Sequence, residues 1–255
     1  MANLLRYFTE AQLSYELASL DGGTAEDLIP SSATATIVYS SDDTSLLETL
    51  VKTYRDALVE SYGDVETSLD LRVSQVAIPE WILMEESANH VLAYALGIDN
   101  GVYTMSGNTP GFVESSANLG LFTANANDGF VAQSLIRSSE PSAIDEIVQQ
   151  HAKVATDNGF ETDAGNYIAA WSYKADSKLR PLCEKVYSES QGKDIREVST
   201  HTVNPCGWFA YNNAGLDIIS IGPTIKNART TNESLQLSSV PVTWHVLADV
   251  LAGVE

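Results

Sequence analysis

A chain of 255 residues, 44% hydrophobic and 19% charged, has the make-up of a globular protein of one large or two smaller domains, able to bury roughly three-quarters of its unfolded surface. Its 34 acidic against 14 basic side chains give a formal charge of -20, which repels phosphate backbones and anionic headgroups and so argues against nucleic-acid and membrane roles. Cys183 and Cys206 are too few for a disulfide scaffold and fit no C-x-x-C spacing, so reduced, buried thiols are expected. The start lacks a basic-then-apolar leader, and no run approaches the ~20 apolar residues of a membrane span, so a cytoplasmic location is expected.

Leu13 to Leu20 alternates and ends in Asp21-Gly22-Gly23, a turn signal, and 33–39 is small, β-branched and alternating; two strands follow. From Ser45, the apolar positions Leu46, Leu47, Leu50, Val51, Tyr54 and Leu58 recur at helical spacing, with Ser45 and Glu48 placed as a capping box and Gly63 beyond the end. Leu69, Leu71 and Val73 predict another strand, and 81–96 another helix closed by Gly97. Next, 112–122 and 130–136 flank the Asn-rich turn 125–129 as a hairpin, and a helix opens at Pro141 with Ile144, Ile147, Val148, His151 and Val154 on one face. The order hairpin, helix, strand thus occurs twice, which hints at an internal duplication.

Beyond Tyr173 the pattern changes to helix (179–190), strand (195–200), short helix (207–212), strand (217–221) and helix (241–251). Strands alternating with helices predict a doubly wound layer with parallel pairing. Two strands make a thin sheet, so the layer reads as partial. The fold class expected is an α+β domain of antiparallel sheet with helices over 1–172, followed by a partial α/β layer over 173–255.

Several stretches carry a family likeness in order and spacing: Ala2 to Arg6, Gly22 to Pro30, Glu114-Ser-Ser-Ala-Asn-Leu-Gly120, Leu135-Ile-Arg-Ser-Ser139, Cys206-Gly207 and Ser220-Ile-Gly-Pro-Thr-Ile225. With these the chain resembles the aminoacyl-histidine and cytosol non-specific dipeptidases of the carnosinase and carboxypeptidase-G zinc metallopeptidase superfamily. The resemblance implies that 1–172 corresponds to most of a lid domain and 173–255 to the segment that returns to complete the metal-binding domain, with the first half of the family's chain absent. That half holds the H-x-D motif, the bridging Asp and the Glu-Glu pair.

In the same alignment the family's last metal ligand, a His, falls on Arg229, and an acidic residue falls on Pro205. A guanidinium has no lone pair to give and stays charged, so it cannot ligate zinc. A polar Asn that meets substrate in relatives becomes Asp27. No catalytic residue and no metal ligand is therefore expected in this chain, and no cofactor, although zinc serves the family.

Four histidines are present: His90, His151, His201 and His245. None has H-x-D or H-E-x-x-H spacing. His90, His151 and His245 sit beside apolar residues at helical spacing, where packing or surface roles are the plain reading. His201 ends an expected strand, where the functional groups of α/β sheets gather. By resemblance, Arg137 is the residue that reads the substrate carboxylate through paired hydrogen bonds, and Asn118 and Gly222 lie in matching substrate-binding runs. These four, Arg137, Asn118, His201 and Gly222, are the candidate substrate-binding residues, each also readable as a structural relic. The serines at 115, 116, 138 and 139 show no G-x-S-x-G elbow.

The function expected is a truncated, non-catalytic relative of a zinc dipeptidase. Two alternatives stay open: one part of a working metallodipeptidase whose metal-binding half is a separate chain, or a peptide-binding or dimerisation module. Candidate partners are a small peptide, a second copy of the chain, or that missing N-terminal half.

Overall fold

The computed structural model describes residues 1–201, 204–213, 215–228 and 230–254. The chain is α+β, and it divides into two compact units. Unit 1 takes 1–103, 116–136 and 145–165; unit 2 takes 104–115, 137–144 and 166–255.

Unit 1 begins with α1 (Ala2–Glu10), where Leu4, Leu5 and Phe8 form a buried stripe of the i, i+1, i+4 kind that a helix packs inward. Strands β1 (Tyr15–Gly23) and β2 (Ala33–Tyr39) pair antiparallel. Helix α2 (Thr44–Tyr62) buries Leu47, Leu50 and Val51. The predicted capping box is not formed: Ser45 lies inside the helix, and the first turn is prepared instead by a 3-10 turn at Ser41–Asp43. Thr44 donates back to the Ser41 carbonyl, while Ser45's own carbonyl accepts from Thr49. Helix α3 (Glu85–Gly97) starts four residues later than its apolar spacing suggests; just ahead of it the Leu83 N–H donates to the Leu17 carbonyl (2.8 Å), tying the lead-in segment to β1.

Strand β3 (Gly101–Met105) and the long hairpin β4 (Val113–Asn125) and β5 (Gly129–Ser138) complete the sheet, ordered β2-β1-β4-β3 with β5 also paired to β4. Helix α4 (Pro141–Asp157) follows. The core of unit 1 gathers Leu5, Leu17, Leu20, Leu50, Val91 and Phe122 from α1, β1, α2, α3 and β4. Tyr94, Phe122, Phe130 and Phe160 add a ring cluster with centroids 4.0 to 6.3 Å apart. The hairpin-then-helix order does recur, as β1–β2–α2 and β4–β5–α4.

Unit 2 holds α5 (Leu179–Gln191), α6 (Cys206–Asn212), the short ladder β6 (Ile225–Lys226) with β7 (Ser234–Leu235), and α7 (Ser239–Ala252). Its core is Cys183, Val246 and Val250. Burial raises the Cys183 thiol pKa, with Glu184 adding to the rise. Cys206 is only half-buried, and burial raises its thiol too.

Three expected strands are absent from the ladders. Residues 69–73, 195–200 and 217–221 run as irregular chain, so the parallel pairing expected of the last two is not present. Alternation reports a buried side, not a hydrogen-bonded neighbour. Leu71 packs on the unit 1 core, and Ile195, Ile219 and Ile221 pack on the helices of unit 2. Among the described residues no helix is long and apolar enough to cross a membrane.

Candidate functional site

In unit 2 the start of β4 and the end of β5 lie side by side and bring together serine, glutamate and arginine side chains. Alternation buries Ser115 to 1% exposure, and its hydroxyl shares a hydrogen bond of 2.8 Å with that of Ser138. Ser139 N–H donates to the Glu114 carbonyl across the same ladder end. The neighbours of this buried serine pair are Glu114 on β4 and Arg137 on β5.

Arg137 donates from Nη1 to the His201 carbonyl at 3.4 Å, while its Nε is buried without a hydrogen-bond partner. Glu114 Oε1 is likewise buried and unpartnered, and among the described residues no ion pair joins the two. A buried donor left unspent costs roughly 1–3 kcal/mol, more when charged. Two such groups of opposite sign lie in this cluster.

His201 packs edge-on to Phe112 with ring centroids 6.0 Å apart. Burial lowers its pKa, the Arg137 charge lowers it further, and Glu114 opposes both. A neutral imidazole is thus favoured, able to donate from one ring nitrogen and accept at the other.

The remaining sequence candidates lie elsewhere. Asn118, in unit 1, spends both amide hydrogens on the carbonyls of Glu26 and Leu28, each at 2.8 Å, and so clamps the loop after β1. Gly222 is exposed on irregular chain, with nothing within 4 Å of where a Cβ would stand. Arg229 lies outside the described residues. His151 hydrogen-bonds the Tyr103 hydroxyl at 3.0 Å, which fits its packing role. Glu114 and Phe112 were not singled out as site residues, although a glutamate in an alternating strand beside a buried serine is a signal that could have found the first.

Zinc needs three or four Cys, His or carboxylate ligands. Among the described residues no three such side chains converge, and the charged neighbours of His201 are one guanidinium and one carboxylate. The donor set of the described residues does not fit a zinc site.

No family model matches the sequence. Over 240 residues the chain is 29% identical to the cytosol non-specific dipeptidase of Escherichia coli (strain K12), an alignment covering 94% of this chain and 49% of the relative. All of it superposes on the aminoacylhistidine dipeptidase from Vibrio alginolyticus with a TM-score of 0.89 and 25% identity, over 52% of that structure. The likeness to dipeptidases thus extends over nearly the whole of this chain. The chain spans about half the length of the relatives it matches. The resemblance to the dipeptidases is borne out, and so is the α+β class.

Proposed function

We propose that this dipeptidase-like chain binds the free carboxylate of a small peptide at Arg137 and does not hydrolyse it. The observation that carries the reading is the Arg137 guanidinium itself: buried at Nε without a partner, bonded among the described residues through Nη1 to the His201 carbonyl at 3.4 Å, and flanked by His201 and Glu114. A carboxylate would take the paired donors in its fork geometry, and Glu114 would receive the ammonium or an amide N–H of the same peptide. Hydrolysis is left out because the donor set of the described residues does not fit zinc and because the sequence resemblance implies Arg229 at the family's ligand position. A cytoplasmic setting belongs to the same proposal, supported by the likeness to the cytosol non-specific dipeptidase of Escherichia coli.

The test is calorimetric titration of the purified chain with a dipeptide and with its C-terminal amide, beside assays of zinc content and of peptide hydrolysis. Binding of the free acid is expected to weaken about tenfold or more in the amide and in Arg137→Gln, with no turnover in the presence of added zinc. Stoichiometric zinc with turnover would overturn it.

A second reading is favoured by the half-length match to both relatives. In it the chain works together with a separate polypeptide equivalent to the relatives' other half, docked on exposed apolar residues of α7 such as Trp244 and Leu251. Co-expression with such a chain would then create peptidase activity that neither has alone.

A further inference from the structure

We propose that a cleft walled by Trp81 binds the guanidinium of an arginine side chain. The cleft belongs entirely to unit 1 and shares no residue with the Arg137 cluster, so it stands or falls independently of the peptide-carboxylate reading.

Its floor is a rung of the sheet. Ser19 on β1 faces Thr36 on one side and Asn125 on the other. Between Leu17 and Ser19 the β1–β2 register slips by one residue, so Ala18 is a bulge, a device that bends a strand and re-aims its side chains beside sites. The β1–β4 ladder runs from Ser19 to Gly23, and at Leu17, outside it, the carbonyl accepts the Leu83 N–H. That bond fixes the incoming segment 79–83 to β1. Trp81 lines the cleft with 62% of its surface exposed, although an indole is among the side chains that gain most from being covered.

The lining chemistry selects the ligand. Among the described residues Glu80 is the single charged side chain at the cleft, with no Lys, Arg or His opposing it. Asn125 Oδ1 is already spent on the backbone N–H groups of Asn127 and Asp128, which leaves the Glu80 carboxylate and the hydroxyls of Ser19 and Thr36 as acceptors. A guanidinium offers five donors in one plane and a flat cationic face. Trp is the best aromatic partner for such a face, and stacking on it is compatible with hydrogen bonds made in the ring-parallel plane. The chain's charge of -20 adds a long-range field of the right sign. A volume of about 230 Å³ falls below the ~300 Å³ at which pockets for whole ligands begin, so one side chain is the unit that fits.

The probes are N-acetyl-arginine methylamide and its neutral isostere N-acetyl-citrulline methylamide, titrated into the 15N-labelled full chain. Saturable shifts at Ser19, Thr36, Asn127 and the Trp81 indole N–H are expected with the arginine compound. Binding should weaken about tenfold in Trp81→Ala and by a factor of about three in Glu80→Gln. Both side chains are exposed, so an unchanged melting temperature will show that these variants fold. Equal affinity for citrulline would overturn the proposal in favour of simple stacking on Trp81. Absence of shifts at millimolar probe, or shifts untouched by both substitutions, would also overturn it.

Discussion

Gly23 and Gly120 approach so closely across the β1–β4 ladder that a Cβ on Gly23 would stand 2.0 Å from the Gly120 carbonyl oxygen. Gly23 also has a φ of +69°, in the left-handed region that glycine enters without penalty. From the other side, a Cβ on Gly120 would meet the Ala25 carbonyl oxygen at 2.2 Å. Gly23→Ala should therefore cost about 1–3 kcal/mol from backbone strain and a similar amount from overpacking. Gly120→Ala carries only the second cost. Urea denaturation should rank the two in that order, and a Gly23→Ala midpoint equal to wild type would contradict the geometry.

The loop that Gly120 supports is also pinned by Asn118, whose two amide hydrogens are both taken by the Glu26 and Leu28 carbonyls. Asn118→Asp removes both donors and sets a carboxylate against two carbonyl oxygens. A loss of about 1–3 kcal/mol is expected, together with faster amide hydrogen exchange confined to the loop at 24–30. If Asn118 instead contacted peptide, the substitution would weaken peptide binding and leave loop exchange unchanged.

Those two residues show what the sequence makes legible. Helical spacing located α2 and α4, and β-branched alternation marked β2 at its observed bounds, because each signal comes from one face packing on a single core. Helix α1 leaves no such signal, since nine residues with three buried side chains give too few turns to show a period. The strands expected at 195–200 and 217–221 failed for the opposite reason: their isoleucines are half-buried, but against helices. At the candidate site, Arg137 and His201 were both named from motif likeness, yet their contact spans 64 positions, and no local pattern encodes it. Nor does spacing show that Asn118's donors are already committed.

Asp217 illustrates a long-range role of the same kind. Its Oδ2 accepts the backbone N–H groups of Lys178 and Leu179 at 2.7 and 2.8 Å, capping α5 from 38 and 39 positions away, where the helix's own N-cap residue supplies no side-chain acceptor. Burial works to raise the carboxyl pKa, but the Ser177 hydroxyl, these two N–H groups and Lys174 outweigh it, and the net shift is downward. Asp217→Ala should cost about 1 kcal/mol, and Asp217→Asn less, since an acceptor remains. A depressed folded pKa means that this stabilisation is full above the unfolded value of about 3.9 and is lost as pH falls through the folded value. The difference between wild type and Asp217→Ala should therefore be constant near neutrality and shrink below about pH 4 in acid denaturation.

The His201 titration gives the most direct view of the candidate site. Burial is the largest influence holding its pKa below the usual 6.5, Arg137 is the second, and Glu114 pulls the other way. Between the folded value and about 6.5 the unfolded chain binds more protons at this position than the folded one, so His201 destabilises the fold progressively as pH drops through that window and is without effect above it. Histidine ring signals followed by NMR should place the His201 midpoint below those of exposed histidines. Arg137→Gln removes the neighbouring charge and should move the midpoint up; Glu114→Gln should move it down. A carboxylate bound at Arg137 would neutralise the same charge and shift His201 upward in the wild type but not in Arg137→Gln. That response separates an occupied anion site from a purely structural arginine, because a structural role gives the substitution its effect without giving the ligand one.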